Sequence, residues 1–179
     1  MRIIGGVAGG RTLKSPGRAP TRPMTDRARE GLFSSIAPAV VNADVVDLYA
    51  GSGSLGLEAL SRGAASATFV ERDRTALAAL RTNVERVGLG GTVVDRSVEG
   101  FLETADGTYD LAFVDPPYTR SLPSVTAIMC SLVRVLRPAA LVVLHRRTGE
   151  DRPAIAGLLP AGERAYGTTQ LWRYEKETR

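Results

Sequence analysis

Residues 43–63, ADVVDLYAGSGSLGLEALSRG, limit what this chain can fold into more than any other stretch. Val45, Val46, Leu48 and Tyr49 form a short apolar run with β-branched side chains, long enough for a buried parallel strand and too short for a helix. Gly51, Gly53 and Gly56 then fit the spacing G-x-G-x-x-G, and Leu55 to Leu60 return to helical spacing until Gly63 stops them. Strand, tight turn and helix in that order let a nucleotide-like ligand approach the backbone, because residues without a Cβ leave room and a helix N-terminus presents free N–H groups. The turn alone does not name its ligand. It suits the pyrophosphate of a dinucleotide, the methionine and ribose of S-adenosylmethionine, or plain packing with no ligand.

At 179 residues the chain has the length of one domain with a proper core. It has no run of about 18 apolar residues and no signal-peptide pattern, so a cytoplasmic location is expected, with no membrane partner. A lone cysteine, Cys130, excludes an internal disulfide, and the single histidine, His145, leaves a zinc site almost without ligands, so no metal is expected.

The charge is unevenly placed. Residues 1–30 hold seven basic side chains (Arg2, Arg11, Lys14, Arg18, Arg22, Arg27, Arg29) against Asp26 and Glu30, a net of +5 that leaves −1 for residues 31–179 within the total of +4. Arginine suits phosphate and base contacts because its planar fork donates in pairs. Arg2-Ile3-Ile4, GGVAGG and Arg11-Thr12-Leu13-Lys14 read as two short strands about a turn, a hairpin that does not look like the start of the core. Residues 1–23 are therefore set apart as a basic arm, and 24–179 as the main domain. Arg2, Arg11, Lys14, Arg18 and Arg22 equip that arm to grip a phosphate backbone, against the plainer reading of a solvated tail. Thr25 is placed as N-cap of a helix ending before Pro38, with Ala28, Leu32, Phe33 and Ile36 as its apolar stripe. Arg22 and Thr25 stand where they can face a ligand in the glycine turn.

Ala67 to Glu71 is a second buried strand, ending in an acid 20 residues after Gly51, where a carboxylate accepts both hydroxyls of a ribose. A helix from Arg74 to Val87 stops at Gly88, and a third strand, Thr92 to Asp95, leads into a short helix containing Val98, Phe101 and Leu102. Asp95 or Ser97 either contacts an adenine ring or caps that helix. Tyr109 to Val114 is a fourth strand, expected beside the first, and it ends in Asp115-Pro116-Pro117-Tyr118.

Two consecutive prolines fix φ and lack N–H groups, so the backbone after Asp115 is stiff and its carbonyls lack ladder partners. The Asp115 carboxylate and Pro116 carbonyl can accept both hydrogens of an exocyclic amine, with Tyr118 stacked on the base that carries it. A base amine is a poor nucleophile because its lone pair is delocalised. Holding its hydrogens so that the lone pair faces an electrophilic methyl supplies orientation and favours the developing positive charge. An isolated D-P-P-Y is an ordinary turn. After a glycine turn and an acid-tipped strand, it favours S-adenosylmethionine over a nicotinamide cofactor.

On these residues the chain resembles the class I S-adenosylmethionine methyltransferases of the D-P-P-Y type, and within them the bacterial 16S rRNA guanine-N2 methyltransferases. The resemblance runs through RIIGGVAGGRTL, RPMTDRAREGLF, DLYAGSGSLGLEALSRGA, FVERD and FVDPPY. It implies an α/β fold with a seven-stranded, mostly parallel sheet and helices on both faces. S-adenosylmethionine is then held by Asp47, Tyr49, Ala50, Gly51, Ser52, Gly53, Glu71, Arg72, Ser97 and Thr25. The catalytic set is Asp115, Pro116, Pro117 and Tyr118, the N-terminal residues take the RNA, and the partner is the small ribosomal subunit, met by a monomer. Ser97 departs from the family, which often has Asn or Asp there.

The remainder completes such a fold: a helix from Leu122 to Leu136, a strand from Ala139 to Leu144, a helical segment around Pro153 to Leu158, and a hairpin of Glu163–Tyr166 with Thr169–Tyr174. His145 at a strand end reads as structural rather than as a base, and Arg146 and Arg147 as RNA surface or solvated charge. Trp172 is expected to pack on the sheet. The competing functions are a DNA or RNA adenine-N6 methyltransferase, a NAD-dependent oxidoreductase and a non-catalytic RNA-binding module.

Overall fold

The computed structural model describes residues 1–17 and 24–178; Arg18 and Arg22 lie outside them. In chain order the described elements are α1 (Asp26–Ser35), α2 (Ala37–Val40), β1 (Asp44–Leu48), α3 (Ser54–Ser61), β2 (Ser66–Glu71), α4 (Arg74–Val87), β3 (Thr92–Asp95), α5 (Val98–Thr104), β4 (Tyr109–Val114), α6 (Leu122–Leu132), β5 (Leu136–Arg147), β6 (Leu158–Tyr166) and β7 (Thr169–Lys176). The strands form one sheet in the order β3-β2-β1-β4-β5-β7-β6. Only β7 runs against its neighbours.

Side chains alternate across each strand, and the central strands are buried on both faces. Leu111 and Phe113 of β4 enter a core shared with α1, α3 and α4, whereas Ala112 and Val114 enter a second core shared with α5 and α6. This is why the central strands read as continuous apolar runs rather than as alternating ones. After β1 the chain winds toward β2 and β3; after β4 it winds the other way, toward β5. The strand order therefore reverses between β1 and β4, and a crevice opens at their carboxyl ends, where open parallel sheets hold ligands.

The glycine turn leads from β1 into that crevice. Gly53 has φ +80°, and a Cβ there would lie 2.5 Å from Leu80 Cδ1. At Gly56 a Cβ would lie 2.4 Å from Phe69 Cε1, so the third glycine of the motif lets α3 pack directly on β2. Gly56→Ala is expected to cost about 1–3 kcal/mol through overpacking. The check is a lowered urea midpoint with unchanged slope; an unmoved midpoint would mean that Phe69 gives way freely.

The N-terminal segment departs from expectation. Its two strands reduce to a single antiparallel bridge, Arg2 with Thr12, and Ile3, Ala8 and Leu13 are buried in the first core. Gly6 sits so close to α3 that a Cβ would meet the Ser61 carbonyl at 1.8 Å. Ser61 Oγ donates to the Gly5 carbonyl at 2.6 Å and accepts from Ala8 N–H at 2.9 Å. The glycines that read as a free turn are therefore close-packing residues, and the segment begins the core instead of preceding it.

Two further expectations are corrected in the C-terminal third. The helix expected to reach Leu136 ends at Leu132, passes through one 3₁₀ turn and gives way to a strand that starts at Leu136. That strand accommodates Pro138 because its register shifts against β4, with Ala139 at φ 60°. No helix forms around Pro153 to Leu158: Gly157 takes φ +83°, Arg152 bonds the Gly162 carbonyl, and the Tyr174 hydroxyl bonds the Pro153 carbonyl. β6 accordingly starts at Leu158, and a bulge between Pro160 and Gly162 carries it past the proline. Trp172 is buried on the sheet, as expected, with its indole N–H on Glu163.

Candidate active site

The end of β1 supplies the first half of the site. Asp47 is buried and accepts from Gly56 N–H at 2.9 Å, so the strand carboxylate bonds the first turn of α3. Burial pushes the Asp47 carboxyl well above the usual carboxylate range, and nearby Asp115 and Glu71 push the same way. Tyr49 follows in the left-handed region at φ 62°, a conformation that costs a non-glycine residue on the order of 1 kcal/mol. Its hydroxyl is buried without a hydrogen-bond partner among the described residues, and burial pushes its pKa up to about 12.

Glu71 bonds the glycine turn. Its Oε2 accepts from Gly51 N–H at 2.9 Å, and its Oε1 accepts from the Arg72 and Asp73 N–H groups at 2.7 and 2.8 Å. Beside it opens a cleft lined by Tyr49, Val70, Glu71, Arg72, Val98 and Glu99 among others. The cleft thus combines an apolar floor with a carboxylate rim, which suits a heterocycle joined to a diol. Arg120 closes its far side: it pairs with Glu99 at 2.6 Å and lies 5.3 Å from the Tyr49 ring. Ala50 and Ser52 shape the turn by backbone contacts. Ala50 N–H donates to the Val70 carbonyl, and the Ser52 carbonyl accepts from the buried Asn83 side chain.

Asp47 has a consequence for stability. The folded state holds the Asp47 proton to higher pH than the unfolded chain does. The ligand-free protein therefore loses stability as pH rises from the ordinary carboxylate range to the raised folded value. Asp47→Asn is expected to flatten that slope and to leave the ligand-free protein more stable at pH 8 than the wild type, with weaker binding of a cationic ligand. Parallel urea titrations at pH 5 and pH 8 check it. An equal fall for both proteins would refute it.

The second half of the site comes from β4. Asp115 N–H donates to the Leu48 carbonyl at 3.3 Å, which joins the ends of β4 and β1 and sets the D-P-P-Y segment against the glycine turn. The Asp115 side chain is a third exposed, and its Oδ1 lies 2.7 Å from His145 Nδ1. Tyr118 Oη lies 3.1 Å from His145 Nε2, and the two rings meet edge to face with centroids 5.7 Å apart. Burial, then Asp115, raises the Tyr118 pKa. The Pro117 carbonyl accepts from Arg120 N–H, while among the described residues no donor reaches the Pro116 carbonyl. One oxygen of Asp115 and the Pro116 carbonyl are thereby left as adjacent acceptors.

Of the two arginines read as RNA surface or solvated charge, Arg147 is exposed and Arg146 is not. His145, Arg146 and Arg147 belong to β5 instead of following it. Arg146 is buried, bonds the Arg120 carbonyl at 2.9 Å and Glu150 at 2.8 Å, and so braces the loop after Tyr118. Arg147 lies 4.8 Å from the Tyr118 ring centroid. Ser97 Oγ caps α5 by accepting from Gly100 N–H, Asp95 pairs with Arg81, and Thr25 Oγ1 caps α1 by accepting from Ala28 N–H. The polar atoms of Ser97 and Thr25 are thus used as helix caps. Of the basic N-terminal side chains, Arg11 bonds the Val87 carbonyl at the end of α4, and Arg2 pairs with Asp26 at 3.4 Å. Lys14 is exposed, and its backbone is tied to Asn83 on both N–H and carbonyl.

Known proteins share both fold and sequence with the chain. The family model described as Conserved hypothetical protein 95 matches residues 1–175. Ribosomal RNA small subunit methyltransferase D of Escherichia coli K12 is 39% identical over 87% of this chain and 79% of its own length. The protein of that name from Haemophilus influenzae is 34% identical over 87% of this chain and 82% of its own. The solved structure of Escherichia coli YhhF superposes with a TM-score of 0.87 at 36% identity, covering 100% of this chain and 99% of that one. With its sequence matched from the buried N-terminal segment to β7, the chain belongs to the Conserved hypothetical protein 95 family and is a relative of ribosomal RNA small subunit methyltransferase D.

Proposed function

We propose that this protein transfers a methyl group from S-adenosylmethionine to the exocyclic N2 amine of a guanine in 16S rRNA of the small ribosomal subunit. The observation that carries the reading is the pair of acceptors at Asp115 and Pro116, joined by the Asp115–Leu48 hydrogen bond to the end of the glycine-turn strand. The relatives' name, ribosomal RNA small subunit methyltransferase D, supports the substrate class.

The residues present fit the cofactor. The buried Asp47 suits its ammonium group, Glu71 the ribose diol, and the cleft floored by Val70 and Val98 the adenine, with the unpartnered Tyr49 hydroxyl at its edge. When bound, S-adenosylmethionine supplies an electrophilic methyl on a positively charged sulfur. Asp115 Oδ2 and the Pro116 carbonyl each take one hydrogen of the guanine amine, which turns the nitrogen lone pair out of the base plane. Tyr118 provides the stacking face. As the nitrogen becomes bonded to carbon, positive charge grows on it beside the Asp115 carboxylate, which stabilises it and is the nearest acceptor for the proton that is shed.

Arg2 and Lys14, together with Arg18 and Arg22, are read as contacts to the RNA backbone, and residues 1–23 as the RNA-facing part of the chain. Among the described residues the exposed large apolar side chains, Val7, Val41 and Leu159, lie on separate elements, which supports action as a monomer. Such work on ribosomal RNA belongs in the cytoplasm.

The test is transfer of labelled methyl from S-adenosylmethionine to small subunits lacking the modification, with free 16S rRNA and DNA alongside and the modified base identified after digestion. Label in N2-methylguanine is the expected result. Label in N6-methyladenine would replace guanine with adenine as the target, and failure to bind the cofactor would overturn the enzymatic reading.

A further inference from the structure

His145, the single histidine of the chain, lies where the proposed chemistry meets the sheet. It sits in β5, paired in parallel with β4 and in antiparallel with β7, and the register Val114 with Leu144 brings it level with Asp115. Its side chain is 4% exposed, whereas that of Asp115 is a third exposed, so the imidazole stands behind the carboxylate, away from the crevice. Both ring nitrogens are engaged: Nδ1 with Asp115 Oδ1 at 2.7 Å, and Nε2 with Tyr118 Oη at 3.1 Å.

We infer that His145 is a positioning residue for methyl transfer, which locks the Asp115 carboxylate and the Tyr118 ring into one frame by bridging them. The inference rests on the reading of Asp115 as amine acceptor and Tyr118 as base platform. An ionised carboxylate has no proton to donate, so Nδ1–H donates to Asp115 Oδ1. In the neutral ring Nε2 then carries the lone pair, and the Tyr118 O–H donates to it. The three groups form one directed chain, Tyr118 to His145 to Asp115.

Two consequences bear on the reaction. The torsion about the Asp115 carboxylate is broad in a free side chain, and the bond to Nδ1–H narrows it to one plane, with Oδ2 turned to the amine. The Tyr118 ring is fixed at 75° to the imidazole, so a base stacked on it has a set angle to Oδ2 and the Pro116 carbonyl. Amine and base are oriented by a single rigid imidazole rather than by two independent rotamers. That is the pre-organisation a poor nucleophile requires.

The two bonds can be broken separately. In His145→Asn the side-chain amide nitrogen takes the place of Nδ1 and keeps the Asp115 bond. In His145→Gln the amide oxygen takes the place of Nε2 and keeps the Tyr118 bond. Steady-state transfer to the RNA is expected to show kcat reduced roughly 10- to 100-fold in His145→Ala, since small misplacements of reacting groups are costly. His145→Gln should share that loss of kcat with little change in KM for RNA. His145→Asn should keep most of kcat and raise KM for RNA, and all three should bind S-adenosylhomocysteine like the wild type. A histidine that merely fills the core would lower the amount of folded enzyme and move neither ratio. Equal kcat and KM in all three folded variants would overturn the role.

A readout independent of turnover uses the fact that the imidazole is unique. Long-range proton–nitrogen NMR of the wild type should show the Nδ1–H tautomer, with the Nε2 resonance displaced in Tyr118→Phe. A proton on Nε2 would overturn the proposal whatever the variants do. A wild-type chain that shows the Nδ1–H tautomer and binds the cofactor yet methylates no nucleic acid would overturn the functional reading, and the positioning role with it, leaving the hydrogen-bonded geometry intact.

Discussion

Asp115→Ala is expected to lower methyl transfer roughly 100- to 1000-fold while leaving cofactor binding close to that of the wild type, the loss typical when one pre-organised group at a charge-developing centre is removed. The separation follows from placement. Asp115 follows β4, its backbone bonded to Leu48 and its side chain partly open to the crevice, whereas Asp47 lies within β1 and Glu71 at the end of β2. Asp115→Asn is expected to lose nearly as much as alanine, because its single amide oxygen cannot accept from both His145 Nδ1–H and the amine, and its NH2 then faces one of these donors. The measurement is single-turnover transfer of labelled methyl, with calorimetric titration of S-adenosylhomocysteine in parallel. Near-normal transfer by the alanine variant would remove Asp115 from its assigned role, and lost cofactor binding would place it in the wrong half of the site.

The largest loss of stability is expected at Glu58, far from the chemistry. Its carboxylate has no exposed surface and accepts from Ile4 N–H at 2.7 Å, Gly5 N–H at 2.9 Å and Arg62 Nε at 2.7 Å. The Arg29 guanidinium lies 3.9 Å away, equally buried, with its Nε and Nη1 atoms lacking hydrogen-bond partners among the described residues. Burial lowers the Arg29 pKa, and Asp26 and Glu58 oppose that lowering. Glu58→Ala leaves a buried cation with one fewer counter-charge and strips two backbone amides of their acceptor. The expected cost is about 3–5 kcal/mol, the range for breaking a buried pair by removing one partner. Urea denaturation reads the cost. Hydrogen exchange should also show the Ile4 and Gly5 amides losing protection before the sheet does. A loss below about 1 kcal/mol would mean that water replaces the carboxylate and that the N-terminal segment is held by its apolar contacts and its bonds to Ser61.

Glu58 also marks a boundary between what is visible in a linear sequence and what is not. It lies in LGLEALS, where it looks like the solvated position of an amphipathic helix; it is buried because the N-terminal segment folds over α3. The basic residues of 1–23 read as an arm for phosphate, yet Arg11 among them holds the end of α4, and Arg29, which adds to the same N-terminal charge, is in the core. Charge counting cannot tell the two uses apart, because it does not register which surface the segment covers. Asn83 escaped notice for the same reason. It sits on the apolar face of α4 and bonds Lys14 and the Ser52 carbonyl, 69 and 31 residues away in sequence.

The sequence by itself determined the strands β1 to β4, the glycine turn, the acid at the end of β2 and the D-P-P-Y segment. All of these rest on patterns that neighbouring residues carry: apolar runs of strand length, glycine spacing, and prolines that fix φ. Tertiary structure alone decided that Asp115 and Tyr118 share His145 from another strand, that Arg146 braces their loop from beneath, and that Ile3, Ala8 and Leu13 of the N-terminal segment belong to the core. Those partners are some 26 to 54 positions apart in sequence, brought together by the pairing of β5 with β4 and by the packing of the N-terminal segment on α3. No local periodicity encodes such a meeting, because it depends on which strands become neighbours once both faces of the sheet are covered.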